Sequence, residues 1–105
     1  MFKAIILLAR RTDMTADAFR TWWLDEHAPL AAQLPEVRRI VFNVIDDADE
    51  YDGVSELWFD DREAFDAAYA TDIGRRVAAD SMAHVRGRTR MFVVEHPVVD
   101  EGAQA

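Results

Sequence analysis

Apolar positions divide the chain into stretches with two different periods. Four short runs are rich in branched and aromatic side chains, which is typical of β-strands. These runs are Phe2–Ala9, Val37–Ile45, Val54–Phe59 and Thr89–Glu95. Because the alternating positions of each run are apolar on both sides, both faces of the resulting sheet are expected to be covered.

Between the first two runs, apolar side chains recur at steps of three and four residues, which predicts one amphipathic helix over about Thr15 to Gln33. Thr15 is a good N-cap for this helix. The buried stripe is expected to contain Phe19, Trp22, Trp23, His27, Leu30 and Leu34. Pro29 falls inside the pattern, where it removes a backbone donor and clashes with the carbonyl of Asp25. We therefore predict a kink or local break beside His27.

A second helical region follows the third strand. Asp60 and Glu63 have the spacing of a capping box and predict its beginning. The pattern continues as helix over Thr71–Val85 after an interruption at Gly74. Gly87 is expected to end this helix before the last strand.

The resulting order, β-α-β-β-α-β, predicts an α+β fold of the ferredoxin-like, split βαβ type. In this fold, both helices lie on one face of a four-stranded antiparallel sheet. The other face is also apolar, and a second copy of the chain is the simplest way to cover it, so a homodimer through the sheet face is expected. A single domain is predicted over residues 1–98, followed by a flexible C-terminal tail at 99–105.

Composition narrows the possible functions. The 105 residues carry 20 acidic and 12 basic side chains, a net charge of -8, which argues against nucleic-acid binding. The absence of cysteine excludes thiol nucleophiles and cysteine-ligated metals. The longest apolar run is too short to cross a membrane, and the N-terminus is not a secretory signal. We therefore expect a soluble cytoplasmic protein that binds neither nucleic acid nor membranes.

His27 is the leading candidate for chemistry. The sequence contains no phosphate-binding loop, metalloprotease motif or nucleophile elbow, and its two serines, Ser55 and Ser81, lie outside any such motif. Catalysis without a cofactor or metal would then be acid–base or electrostatic, and a histidine titrates near neutral pH. The alternative is a structural histidine at the domain rim, bonded to the backbone or to Asp25 or Glu26.

Other candidates form an aromatic and acidic group around His27. The expected ligand-binding residues are Phe19, Trp23, Glu56, Trp58, Tyr69, Asp80 and His84. Asp80 and His84 are four residues apart, so they share one helix face and can pair. Glu56 lies on the same strand face as Trp58, and its carboxylate is either part of a site or paired across strands with Lys3 or an arginine.

Two segments, Phe19–Leu30 (FRTWWLDEHAPL) and Tyr51–Phe59 (YDGVSELWF), resemble the EthD-like family, named for an ethyl tert-butyl ether degradation protein. Gly74 and Asp80 ahead of the last strand add to this resemblance, which covers nearly the whole chain. It implies membership of the dimeric α+β barrel superfamily, with two sheets packed face to face. It also implies a pocket between helices and sheet into which His27 projects.

The resemblance implies a range of activities. EthD-like proteins include accessory proteins of ether degradation, and similar barrels include isomerases, polyketide cyclases, cofactor-independent monooxygenases and haem-degrading enzymes. The haem-degrading type is expected to have an asparagine in its first strand, and Phe2–Ala9 contains none.

The leading hypothesis is cofactor-free acid–base catalysis on a small apolar carbonyl compound or lactone, by isomerisation, cyclisation or dehydration. His27 would shuttle the proton. The alternatives are a non-catalytic accessory or ligand-carrier protein of a degradation pathway, and a cofactor-independent monooxygenase.

Overall fold

The fold is built on one antiparallel sheet. In a computed structural model, which describes residues 1–47 and 49–100, its strands are β1 (Phe2–Arg10), β2 (Arg39–Val44), β3 (Gly53–Phe59) and β4 (Val85–Val94). They lie in the order β2-β3-β1-β4, so the first and third strands are central. The predicted four-stranded antiparallel sheet is confirmed.

Helices cover one face of this sheet, which here is called the inner face. They are α1 (Ala16–Thr21), a π-helical segment (Trp22–His27), α2 (Ala28–Ala31), α3 (Arg62–Tyr69) and α4 (Asp72–His84). Their aromatic and aliphatic side chains form one core with Ala4, Ile6 and Leu8 of β1, all of which are buried. The ferredoxin-like α+β prediction is confirmed.

The predicted break beside His27 is the π-helical segment. Its last turn is closed by a bond from the N–H of Ala28 to the carbonyl of Trp23, five residues earlier. Pro29 has no N–H to give to the carbonyl of Asp25, and it lies in the first turn of α2, where that loss costs least. The wider turn leaves Trp22, Trp23 and His27 buried together.

Two predicted helix boundaries are wrong. Asp61, and not Asp60, caps α3, since its Oδ1 accepts from the N–H of Ala64 at 2.8 Å. Asp60 instead pairs with Arg38 at 2.9 Å. The last strand begins at Val85, and Gly87 lies inside it, because the helix has already ended at His84.

Gly74 lies within α4 and does not interrupt it, which corrects a third expectation. Thr71 caps this helix by accepting from the N–H of Gly74 at 3.1 Å. A Cβ on Gly74 would lie 2.2 Å from the carbonyl oxygen of Ala68 and 2.4 Å from the Cα of Tyr69. The glycine is needed because α4 starts in direct contact with the backbone at the end of α3.

The opposite, outer face of the sheet carries a mixed surface. Lys3, Ile5 and Leu7 of β1 point to it and are half-buried, whereas Met91 of β4 is 40% exposed. In the single chain, nothing covers this face among the described residues. Part of the predicted tail, residues 101–105, lies outside the described residues.

Candidate functional site

His27 lies at the end of the π-helical segment and is 4% exposed. Its Nδ1 is 2.8 Å from Oδ2 of Asp80 on α4. A carboxylate only accepts hydrogen bonds, so Nδ1 carries the proton and donates it to Asp80. The second ring nitrogen, Nε2, is then left with its lone pair.

Trp22 holds the Asp80 carboxylate, and His84 holds the Asp80 backbone. Trp22 Nε1 donates to the same Oδ2 at 3.1 Å. Trp22 also stacks on the ring of His84, with 4.3 Å between centroids, and Nδ1 of His84 is 2.7 Å from the Asp80 carbonyl oxygen. The distance from His84 Nδ1 to Oδ1 of Asp80 is longer, at 3.5 Å, than the 2.8 Å between His27 Nδ1 and Oδ2. The Asp80 carboxylate is therefore paired more closely with His27. His84 therefore supports the pair of Asp80 and His27.

Burial lowers the pKa of His27 below its usual value, although the hydrogen bond and charge of Asp80 act in the opposite direction. The imidazole is therefore neutral at neutral pH. A neutral imidazole with Nδ1–H held by a carboxylate is the form in which Nε2 accepts a proton, and the carboxylate then stabilises the imidazolium.

Ser81 occupies the other side of the imidazole. Its Oγ is 3.3 Å from Nε2 of His27, and the side chain is buried. Asp80 and Ser81 are neighbours on α4, and they contact Nδ1 and Nε2 of His27, respectively. This serine lies outside any nucleophile motif, so it was not among the predicted site residues. The available signal was its position four residues after the buried Val77, on an otherwise apolar stripe.

His27 lines a cavity of about 20 Å³ between the helices and the inner face of the sheet. That volume holds one water molecule. Most of its wall is apolar, and the polar contributors are His27, Ser55, Tyr69, Ser81 and Arg88. Apolar walls with a few convergent polar groups are typical of small-molecule sites.

Tyr69 and Arg88 face this cavity from α3 and β4. Burial raises the pKa of Tyr69, so its hydroxyl stays protonated and can donate a hydrogen bond. Burial also lowers the pKa of the half-buried Arg88, although a guanidinium remains charged at any physiological pH. Tyr69 was among the candidates predicted from sequence, whereas Arg88, just before the predicted last strand at Thr89–Glu95, was not.

Phe19 and Trp23 are buried one layer behind the cavity. Their rings are 5.3 Å apart, and Trp23 stacks on Phe42 at 4.4 Å. Phe42 lines the cavity and lies 6.0 Å from His27. The two predicted ligand-wall residues therefore support the wall through Phe42. Gly53 makes room for Trp23, because a Cβ there would lie 2.5 Å from the indole ring.

Glu56 and Trp58 lie on the outer face of the sheet, away from His27. The Nζ of Lys3 is 3.0 Å from Glu56 Oε1, and Asn43 donates to Oε2 at 3.1 Å. Burial pushes the pKa of Glu56 up, but these hydrogen bonds and the charge of Lys3 outweigh it and hold the pKa below its usual value. The cross-strand ion pair with Lys3, one of the two readings open from sequence, is present. Trp58 donates to Glu95 at 3.0 Å.

The described part of the chain contains neither a metal-binding cluster nor a membrane-spanning helix. Within residues 1–47 and 49–100, no three His, Asp or Glu side chains are arranged to hold a metal ion. Over the same ranges, no helix has the length and apolar character needed to cross a membrane.

Comparison with known proteins identifies the family. The family model described as the EthD domain matches residues 11–85, well over half of the chain. The chain belongs to the EthD family. The resemblance predicted from sequence is thereby confirmed. Both segments on which it rested, Phe19–Leu30 and Tyr51–Phe59, lie within the matched region.

Solved structures agree with this family and with its fold. An ethyl tert-butyl ether degradation (EthD) family protein from Bacillus halodurans is 25% identical, with a TM-score of 0.80 over 91% of this chain and 100% of its own. A dimeric ferredoxin-like protein of unknown function from Thermobifida fusca is 19% identical, with a TM-score of 0.74 over 90% of each chain. A cofactor-independent oxygenase from Streptomyces nogalater is 16% identical, with a TM-score of 0.73 over 95% of this chain and 97% of its own. Among curated proteins, a search finds no match.

In this EthD-family chain, the structure brings together His27, Asp80, His84 and Tyr69 of the candidates predicted from sequence. It adds Ser81 and Arg88 to them. Glu56 and Trp58 belong to a separate, fully paired cluster on the outer face.

Proposed function

We propose that this protein catalyses proton transfer on a small, mostly apolar carbonyl compound or lactone without a cofactor, with His27 as the base. The observation that supports this most strongly is the contact of 2.8 Å between His27 Nδ1 and Asp80. It leaves the lone pair on Nε2, which accepts a hydrogen bond from the Ser81 hydroxyl at 3.3 Å, and both side chains line the cavity. A hydroxyl can rotate, so Ser81 can release this lone pair to a bound ligand. General-base catalysis requires this protonation state and position.

The proposed reaction begins at a carbon next to the substrate carbonyl. Nε2 of His27 takes a proton from that carbon, the electron pair of the broken C–H bond forms a C=C bond, and the π pair of the carbonyl moves onto its oxygen to give an enolate. Asp80 stabilises the imidazolium that forms, and the protonated hydroxyl of Tyr69 donates to the enolate oxygen. In a β,γ-unsaturated substrate, return of the proton to the γ-carbon of the dienolate completes an isomerisation. In a β-hydroxy substrate, delivery of the proton to the departing β-hydroxyl forms the α,β double bond and completes a dehydration.

Substrate entry requires the cavity to enlarge, because its present volume of about 20 Å³ is that of a single water. Arg88 lines both this cavity and an open groove of about 410 Å³, which it shares with Met82 and Arg90. We propose that the ligand enters from this groove as the Arg88 side chain moves. A lid formed by one long side chain costs little to open compared with movement of a strand or helix.

We also propose that two copies associate through the outer face of the sheet. Half-buried apolar side chains such as Ile5 and Leu7 lie there beside the exposed Met91. The similar Thermobifida fusca protein is dimeric. Sedimentation at micromolar concentration is expected to give a dimer mass, and a stable monomer would contradict this part of the proposal.

Deuterium exchange tests the catalytic proposal without knowledge of the natural substrate. A panel of small cyclic ketones and lactones is incubated with the protein in D2O, and the loss of the α-proton signal is followed by NMR. The wild type is expected to accelerate exchange for the compounds that bind. His27→Gln should slow that exchange by about 10²–10⁴-fold while ligand affinity stays similar.

His96→Gln is the matched control, since His96 is exposed and remote from the cavity lining. It should exchange at the wild-type rate. If the wild type binds ligands but exchanges their protons no faster than His27→Gln, the protein is a carrier and the catalytic proposal is wrong.

A further inference from the structure

Arg88 stands out among the polar groups that line the cavity because residues 1–47 and 49–100 provide no counter-ion for its charge. Among the residues the structure describes, no carboxylate lies within 4.0 Å of its guanidinium, and no side-chain nitrogen of Arg88 is hydrogen-bonded. Most of the other arginines have carboxylate partners, for example Arg10 with Asp52 and Arg38 with Asp60. A half-buried cation without a partner costs stability.

This arrangement is unexpected in so acidic a chain. With 20 acidic side chains against 12 basic ones, carboxylates are the commonest charged groups available. Even so, the charged side chain that shares the open groove with Arg88 is another arginine, Arg90, which raises the local positive potential. Arg90 is itself held over the ring of Phe92, at 4.6 Å, and not by a carboxylate. The groove mouth is therefore a positive patch on an otherwise negative protein.

We propose that the ligand carries a carboxylate and that Arg88 binds it. This inference rests on the cavity of the proposed function and adds the charge of its substrate class. The guanidinium matches a carboxylate with two parallel hydrogen bonds, which are stronger than bonds between neutral groups. The bound anion would supply the counter-ion that the described part of the chain does not.

The position of Arg88 gives this anion a defined place relative to the base. Arg88 lines the same cavity as His27 and lies close enough for its charge to act on the pKa of the imidazole. A carboxylate held at the groove side of Arg88 therefore leaves the apolar remainder of the ligand directed toward Nε2. Arg90 reinforces the attraction at the entrance, which also favours the capture of anions over neutral compounds.

The test compares small carboxylic acids with their neutral amides by isothermal titration calorimetry. The probes are benzoate, phenylacetate and cyclohexanecarboxylate, each paired with the corresponding amide. The wild type should bind the carboxylates at least about tenfold more tightly than the amides, as expected for charge-assisted bonds. Arg88→Gln should abolish this preference, whereas Arg75→Gln, which removes an exposed arginine paired with Asp72, should keep it.

Equal affinity for acid and amide would overturn the inference, as would a preference that survives in Arg88→Gln. Absence of saturable binding by all three carboxylates would overturn it too. His27→Gln separates this inference from the catalytic proposal, because the carboxylate preference should persist in that variant although proton exchange is lost. A wild type that prefers carboxylates but exchanges no protons would refute catalysis and leave the Arg88 assignment standing.

Discussion

The polar side chains on the two faces of the sheet differ in how completely they are paired. On the outer face, Glu56 accepts hydrogen bonds from both Lys3 and Asn43, and Trp58 and Lys3 share Glu95. On the inner face, Arg88 has no carboxylate partner among the described residues, and Nε2 of His27 meets only a serine hydroxyl at 3.3 Å.

Satisfied hydrogen-bonding groups mark a structural cluster, and unsatisfied ones mark a candidate site. Buried or half-buried polar groups normally find partners, because an unpaired group costs free energy. A cluster whose groups are all satisfied, such as the one around Glu56, has nothing left to offer a ligand. A cavity that keeps an unpaired cation and a neutral imidazole retains binding capacity at the expense of stability.

The largest expected effect concerns the close contact between α3 and α4, the two helices that follow β3. Gly74→Ala places a Cβ against the backbone of Ala68 and Tyr69, which cannot move aside as a side-chain tip can. We expect a loss near the upper end of the ~1–3 kcal/mol typical of overpacking, measured by urea denaturation. Gly87→Ala is the control, since its Cβ would meet nothing within 4 Å. Similar stability of the two variants would contradict the packing described here.

A second prediction contrasts one cation from each face. Lys3→Met leaves the half-buried Glu56 without its ion-pair partner and should lower the free energy of unfolding by about 1–3 kcal/mol. Arg88→Met breaks no ion pair with any residue that the structure describes and removes a half-buried charge, so its stability should equal or exceed that of the wild type. Denaturation of both variants under one condition makes the comparison. If Arg88→Met destabilises as much as Lys3→Met, Arg88 is structural and the distinction between the faces fails.

The smallest expected effect is the pH dependence of stability. The pKa of His27 is lowered by burial in the folded protein, whereas it is about 6.5 when unfolded. The unfolded state therefore binds more protons between these two pKa values, and stability is lost as the pH falls through this window. For one proton the slope cannot exceed about 1.4 kcal/mol per pH unit.

Denaturation between roughly pH 7.5 and 5.5 measures this slope. His27→Gln should flatten it, while Glu56→Gln should keep it, because the pKa of Glu56 is lowered from 4.5 and its contribution is lost only at more acidic pH. An unchanged slope in His27→Gln would show that the histidine is not buried in its neutral form.

Local sequence signals predicted much of the fold. Thr15 does cap the first helix, with its Oγ1 accepting from Ala18 at 3.1 Å. Pro29 marked the break beside His27 because its effect on the preceding turn depends only on covalent geometry. The boundaries at Asp61 and Val85 were missed, since neighbouring residues compete for the same cap and tertiary packing decides between them.

The site was harder to predict, because its contacts join distant parts of the chain. Asp80 and His27 are 53 residues apart, so spacing favoured the local pair of Asp80 and His84. Alternation placed Glu56 and Trp58 on one strand face but not on a particular side of the sheet, because both sides of the strand are apolar. The unpaired state of Arg88 is a property of its surroundings and has no local signature.

The protonation state of His27 is the most direct test of this account. The ring nitrogens are observed by ¹⁵N–¹H NMR in protein labelled at histidine, with His27→Gln used to assign the signals. The account predicts a neutral imidazole at neutral pH, protonated on Nδ1, that titrates below the usual pKa of about 6.5. A cationic ring at neutral pH, or a proton on Nε2 in place of Nδ1, would contradict the assignment of His27 as the base.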